Sequence, residues 1–276
     1  MTRSGAAGVC RSAPPSLALS TCRRRHPVGT SVTYGNVKLI TDNLIFVMSL
    51  VVFVAAFVQG ATGFGFAMIA APIIAMIAPG TLPVLLLVLM IPLNLFVVWR
   101  ERHALDIRGA SWIMLGRAAG TAGGLLILIS ISIKSLDLLI GFSTAIAAMV
   151  SLFMPSFRPS RSTLVSVGVI TGITETATGV GGPPLAMIYQ HRPASELRST
   201  VATCFLLGEI ISLAVLAVSG KVNAGQLRVA LLVFPALILG GTLSTLIHHK
   251  IEGQLVRFLV LGFALLSGVT VAVQAW

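Results

Sequence analysis

The sequence predicts an all-α protein that passes repeatedly through a membrane, built as two inverted repeats of about five membrane segments each. Three observations predict it. Of 276 residues, 56% are apolar and 10% charged, against about 45–50% and about 25% in soluble domains. Runs such as Thr81 to Trp99 (TLPVLLLVLMIPLNLFVVW) reach the roughly 20 residues that cross a hydrocarbon core about 30 Å thick. Short motifs also recur in order in the two halves of the chain. The 27 glycines and 13 prolines fit membrane helices, where small residues let backbones approach and helix breaks are tolerated inside protein.

Residues 1–41 come first and stand apart. They are polar and rich in Ser, Pro and Gly, and the first 38 residues hold six of the 19 Lys and Arg, including Arg23, Arg24 and Arg25. Such a segment cannot bury a core. Its apolar stretches fall short of the 7 to 15 residues of a secretory signal. It is expected to be a disordered basic arm or the product of a start assigned too far upstream, with Met48 as one candidate start.

From Asp42 the apolar segments run over about 43–61, 64–79, 81–99, 110–131, 135–154, 163–178, 183–190, 196–218, 226–247 and 254–273. This gives a first transmembrane repeat over 42–154, a basic cytoplasmic loop over 155–162 and a second repeat over 163–276. The seventh segment, and less clearly the second, is too short to cross as helix alone, and each follows a Gly-rich stretch. In the second half, extended chain over Thr176 to Gly182 followed by helix to His191 spans roughly 35 Å. Each short element is therefore expected to be a half helix joined to an unwound strand.

The repeat explains why the short segments come in a pair. Ala61-Thr-Gly-Phe-Gly65 matches Ala177-Thr-Gly-Val-Gly181 at an offset of 116, which also carries Gln59 onto Glu175. Gly120-Thr121 matches Gly241-Thr242 and Gly141-Phe142 matches Gly262-Phe263, both at an offset of 121. With ten passes, one side holds Arg100, Arg102, Arg108, Arg158, Arg161, Arg192, Arg198, Lys250 and Arg257, and the other Lys134, Lys221 and Arg228. With eight, the same twelve divide seven to five. Lys and Arg collect on the cytoplasmic side, so ten passes and inverted halves are expected.

Non-helical backbone inside a membrane lines protein or a wet cavity, which puts the expected site at the two Gly-rich breaks. In the first these are Gln59, Thr62, Gly63 and Gly65; in the second, Glu175, Thr178, Gly179, Gly181 and Gly182. Pro183 and Pro184 suit the first turn of a helix. A helix N-terminus opening at mid-depth offers free N–H groups and a partial positive charge to an anion. The alternative for these glycines is close packing alone.

The segments FVQGATGFGFAMIAAP (57–72) and TGITETATGVGGPPLAMIY (171–189), with the loop WRERHALD (99–106) between them, closely resemble the sulfite exporter TauE/SafE family. The resemblance covers nearly everything from Leu44 onward. It implies a bacterial inner-membrane permease for small sulfur oxyanions or organosulfonates, with a small anion and the lipid bilayer as partners and a second copy of the chain as a candidate partner.

Three ionisable residues interrupt apolar runs, and such groups face a cavity or a partner. Arg117 lies about 10 Å inside its helix and is either a substrate or carboxylate partner or a snorkelling cation. Glu175 abuts the second break and either binds a proton or orients the loop. Glu209 falls near the position equivalent to Asn94, and both join the candidate site. His103, His191, His248 and His249 fall at helix ends or loops.

Other classes fit less well. The charge of +11 is scattered through the tail and short loops, without the aromatic interleaving of a nucleic-acid surface. Cys10, Cys22 and Cys204 lack ligand or disulfide spacing, so no metal or cofactor is expected. No His-Glu-x-x-His or Gly-x-Ser-x-Gly pattern supports a membrane enzyme, and a packing subunit would not need polar residues at both breaks.

Overall fold

A computed structural model describes residues 30–153, 160–189, 192–247 and 253–275. The chain divides into two units, Met1–Thr41 and Asp42–Trp276; the arm reading of 1–41 falls mostly outside the described residues, and helix begins at Thr30. His191, His248, His249, Arg158 and Lys250 also lie outside them. The second unit holds the fold.

Ten α-helices occur among the described residues: α1 (Thr30–Thr62), α2 (Phe66–Ile77), α3 (Val84–Glu101), α4 (Ile107–Ser130), α5 (Ile133–Phe153), α6 (Arg161–Thr178), α7 (Gly182–Tyr189), α8 (Ala194–Val218), α9 (Ala224–Ile247) and α10 (Gly253–Ala275). Each overlaps one apolar segment of the sequence, and α1 also takes in residues 30–42 ahead of its segment. Five described stretches are long and apolar enough to cross a membrane: Asn43–Thr62, Val84–Ala104, Ile107–Ser130, Ala194–Val218 and Ala224–Leu246. Local chemistry sets two of the starts. The Asp106 carboxylate accepts from Gly109 N at 2.9 Å at the head of α4, and the Ser160 hydroxyl accepts from Thr163 N at 3.2 Å at the head of α6, each filling a donor that the first turn leaves open.

Helices α3 and α8 lie side by side and run in opposite directions. The end of α3 meets the start of α8 through Glu101 and Arg198 (2.8 Å), Asn94 meets Glu209 (2.7 Å), and Val84 and Leu87 cluster with Leu216 at the far end. The end holding Glu101 and Arg198 is termed side A, the other side B. Gln226 at the head of α9 donates to Gly80 O ahead of α3 (3.2 Å), which fixes that turn on side B. Tyr189, the last residue of α7, donates to Asp106 at the head of α4 (3.0 Å), which fixes the end of α7 on side A.

Three further pairings follow the order of the repeat. Helices α5 and α10 also run antiparallel, with Gly141 against Ala272 and Gly268 against Ala145. Helices α4 and α6 are parallel and so close that a Cβ at Gly116, Gly120, Gly168 or Gly172 would strike the backbone of the other helix. Helix α9 approaches α1 closely too, where a Cβ at Gly240 would strike the backbone of Phe53 and one at Gly60 the side chain of Ser244. Small residues spaced by four permit such contact.

Candidate functional site

The two breaks open with the same turn. In the first, Gly63 N donates to Gln59 O at 2.7 Å and Gly63 takes φ 86°. In the second, Gly179 N donates to Glu175 O at 2.7 Å with φ 79°. These are left-handed C-terminal caps, which side chains with a Cβ rarely adopt. The Thr62 hydroxyl donates to Val58 O (2.9 Å) and the Thr178 hydroxyl to Thr174 O (2.7 Å). Those oxygens then accept from Phe64 N (3.4 Å) and Val180 N (3.2 Å). After each turn the chain reverses into a short helix, α2 or α7.

The glycine turns do not meet at mid-height. A Cβ at Gly63 would strike Arg198, four residues into α8, and one at Gly179 would strike Leu86, two residues into α3. Because α3 and α8 start on opposite sides, the first break lies towards side A and the second towards side B. The expectation of helix N-termini opening together at mid-depth is corrected accordingly. Nor is the first N-terminus free, since Phe66 N donates to Gln59 Oε1 at 3.0 Å.

What occupies mid-height is a set of side chains that includes Gln59 and Glu175, each one turn before its break. Gln59 Nε2 donates to Asn94 Oδ1 (3.1 Å), and Asn94 Nδ2 donates to Glu209 Oε1 (2.7 Å). Beside this relay, Arg117 Nη2 sits 2.7 Å from Glu175 Oε1. All five side chains are buried, with Arg117, Glu175 and Glu209 at 0% exposure. The snorkelling reading of Arg117 is thereby replaced by that of an internal ion pair.

The surroundings of Arg117 are shaped to it. Its guanidinium stands 5.7 Å from the Phe205 ring centroid, a cation–π contact. A Cβ on Gly208 would overlap the guanidinium, and one on Gly181 would come within 2.5 Å of Glu175 Oε2 and 2.9 Å of Thr171. Arg117 Nε and Nη1, Glu175 Oε2, Glu209 Oε2 and the hydroxyls of Thr121 and Thr171 have no hydrogen-bond partner among the described residues. A buried donor left unmade costs about 1–3 kcal/mol, more when charged. An acceptor that reached Arg117 would relieve that cost.

Of the residues expected from sequence, Gln59, Asn94, Glu209, Arg117 and Glu175 come together at mid-height, and Gly181 abuts Glu175. Thr62, Gly63 and Gly65 build the first turn, and Thr178 and Gly179 the second. Gly182 opens α7 with Phe205 3.8 Å from where its Cβ would be. Sequence reasoning missed Phe205, Gly208 and the buried Thr176–Ser212 hydroxyl pair (2.7 Å). Adjacency to Glu209 was the only signal for Gly208.

Residues 48–271 match the family described as Sulfite exporter TauE/SafE. No curated protein and no solved structure matches the chain.

Proposed function

Because the chain belongs to the sulfite exporter TauE/SafE family, a family of multi-pass membrane transporters, we propose that it carries a small oxyanion, sulfite or a short organosulfonate, through a site centred on Arg117. The observation that supports this most directly is the buried guanidinium whose Nε and Nη1 have no partner among the described residues while Nη2 pairs with Glu175. Guanidinium presents its donors as a planar fork matched to two oxygens of an oxyanion. Glu175 then acts as the resident counter-ion, holding the arginine in place and yielding to the cargo. Phe205 closes one face, and the absence of a Cβ at Gly208 leaves the guanidinium its room.

Inverted repeats account for the path. The antiparallel pairing of α3 with α8 and of α5 with α10, and the matching turns at Gly63 and Gly179, support two halves related by a two-fold axis in the membrane plane, the arrangement in which one half rocks against the other around a fixed site. Side A is assigned to the cytoplasm, because the helix directions gather Arg100, Arg102, Arg108, Arg161, Arg192 and Arg198 there and leave Lys221 and Arg228 on side B. The membrane is then the inner membrane of a bacterium. Transport rather than chemistry fits a centre whose polar groups form an ion pair and a relay of amides, with no nucleophile set against a base.

Purified protein in liposomes tests the reading. Radiolabelled sulfite should enter vesicles holding the wild-type chain, and Arg117→Gln should lower that flux at least about 10-fold, since a hydrogen bond to a charged group is worth about 1.5–3 kcal/mol. Equal flux by Arg117→Gln, or a carrier that moves only cations or neutral solutes, would overturn it.

A further inference from the structure

On side A the bundle opens into a cavity of about 620 Å³ between the heads of α4, α6 and α8 and the end of α7. Its charge is cationic. His103, Arg108, Arg161 and Arg192 line it against two carboxylates, Asp106 and Glu196. Both carboxylates are engaged. Asp106 accepts from Gly109 N through Oδ1 and from the Tyr189 hydroxyl through Oδ2, and Glu196 faces Arg192 at 3.6 Å. Arg108 and Arg161 have no acidic partner within 4.0 Å among the described residues. Arg161 is nevertheless held, its guanidinium 5.6 Å from the Trp112 ring centroid.

The corresponding place on side B is different. There, between the turn ahead of α3 and the head of α9, a smaller cavity of about 250 Å³ is lined by Gly80, Leu82, Pro83 and Ile131, with Lys221 its single cationic residue among the described residues. Gln226 stands at the head of α9 in that cavity, where Gly109 stands at the head of α4 on side A, and Asn223 caps it as Asp106 caps Gly109. Two mouths of related construction thus differ in their cations, with three guanidinium groups on side A and none among the described residues on side B.

The side A cavity and the central site share one helix, α4. Arg108 and Arg117 share α4, nine residues and roughly 13 Å apart at 1.5 Å per residue. Between them lie Gly109 and Ile113, with Tyr189 of α7 crossing from the other wall to Asp106.

We propose that this cavity is a second oxyanion site, a staging site in which Arg108 and Arg161 hold the cargo before it passes to Arg117. The inference rests on the anion-carrier reading and adds to it a side-specific affinity, with capture favoured from side A. A cationic mouth raises the local concentration of an anion and the rate at which it is captured, and salt weakens the effect. The ligand class is a compact oxyanion of one or two charges. A lipid phosphate shares that chemistry, and the test separates the two.

The experiment uses the whole chain in oriented proteoliposomes of phosphatidylcholine, with and without added phosphatidylglycerol, and sulfite as the probe. Arg108→Gln/Arg161→Gln should raise KM from side A about 3-fold to 10-fold, the scale of two exposed charge contacts. It should leave kcat for uptake from side A unchanged, and flatten the dependence of side A uptake on ionic strength. Arg108→Lys/Arg161→Lys, which keeps the charge, should recover most of the affinity. Unchanged KM from side A in the glutamine variant, with wild type transporting sulfite, would remove the staging site and leave Arg117 as the site. An effect seen only with phosphatidylglycerol would assign the cavity to lipid and overturn the proposal. Absence of sulfite transport by wild type would instead remove the anion-carrier reading on which it rests.

Discussion

Replacing Glu175 with alanine isolates the central charge. Arg117 is 0% exposed and its ionic contact is the one with Glu175 at 2.7 Å, so the variant leaves a buried guanidinium without its counter-ion. Removing one partner of such a pair costs about 3–5 kcal/mol. For a chain of this size about 2–4 °C of melting temperature accompanies each kcal/mol, so Glu175→Ala should melt roughly 6–20 °C below wild type in detergent. The carboxylate's departure also opens room beside Nη2. Sulfite at 100 times its Kd should restore about 2.7 kcal/mol, a large part of the loss, whereas sodium chloride at matched ionic strength should restore less. Arg117→Met/Glu175→Met, which removes both charges, should lie closer to wild type than Glu175→Ala does and should gain nothing from sulfite. Thermal unfolding followed by tryptophan fluorescence reads all three. A Glu175→Ala protein as stable as wild type without anion would refute the ion pair as a structural element. One that sulfite stabilises no better than it does the double methionine variant would refute Arg117 as the receptor.

The other expectations concern packing, the relay and topology. Gly181→Leu should abolish anion binding, because even a Cβ there reaches Glu175 and Thr171; Gly262→Leu, where nothing lies within 4 Å of the added carbon, is the matched control, since a side chain at Gly268 would strike the backbone of α5. Titration of binding in purified protein checks the pair, and equal affinities would take the second break out of the site. Gly168→Leu should prevent folding by driving α6 off the backbone of α4, while Gly123→Ala, which meets only the Ile173 side chain at 3.3 Å, should be tolerated within about 1 kcal/mol; yield and elution profile distinguish them. Glu209→Leu should destabilise by about 1–3 kcal/mol by leaving Asn94 Nδ2 without an acceptor, and Glu209→Gln should retain most of it; matched melting curves for the two would show that the relay contributes nothing. Single cysteines at Arg161 and Lys221 should label from opposite sides of the membrane and those at Arg161 and Arg192 from the same side; the reverse pattern would exclude inverted halves.

Much of the fold was legible in the chain because a membrane helix writes itself locally. Ten apolar runs gave ten helices, since backbone groups in lipid must be satisfied within the segment and no distant partner is needed to define its span. The breaks were legible for a similar reason: a left-handed cap needs glycine, and Gly63 and Gly179 recur at the repeat offset. Gln59, Asn94, Arg117, Glu175 and Glu209 could be singled out because a polar group inside an apolar run demands an explanation.

Which of those groups faces which was decided only by tertiary structure. The sequence places Gln59 and Glu175 at equivalent positions, yet Gln59 bonds Asn94 and the head of α2 while Glu175 pairs with Arg117, because α4 brings a cation to one and α3 an amide to the other. The depth of the breaks was equally hidden. It depends on how far α1 and α6 run before turning, relative to α8 and α3 beside them, and nothing within 57–72 or 171–189 specifies those neighbours. Gly208 illustrates the limit most simply: in sequence it is one of 27 glycines, and only the packing of α4 against α8 turns its missing Cβ into the room that Arg117 occupies.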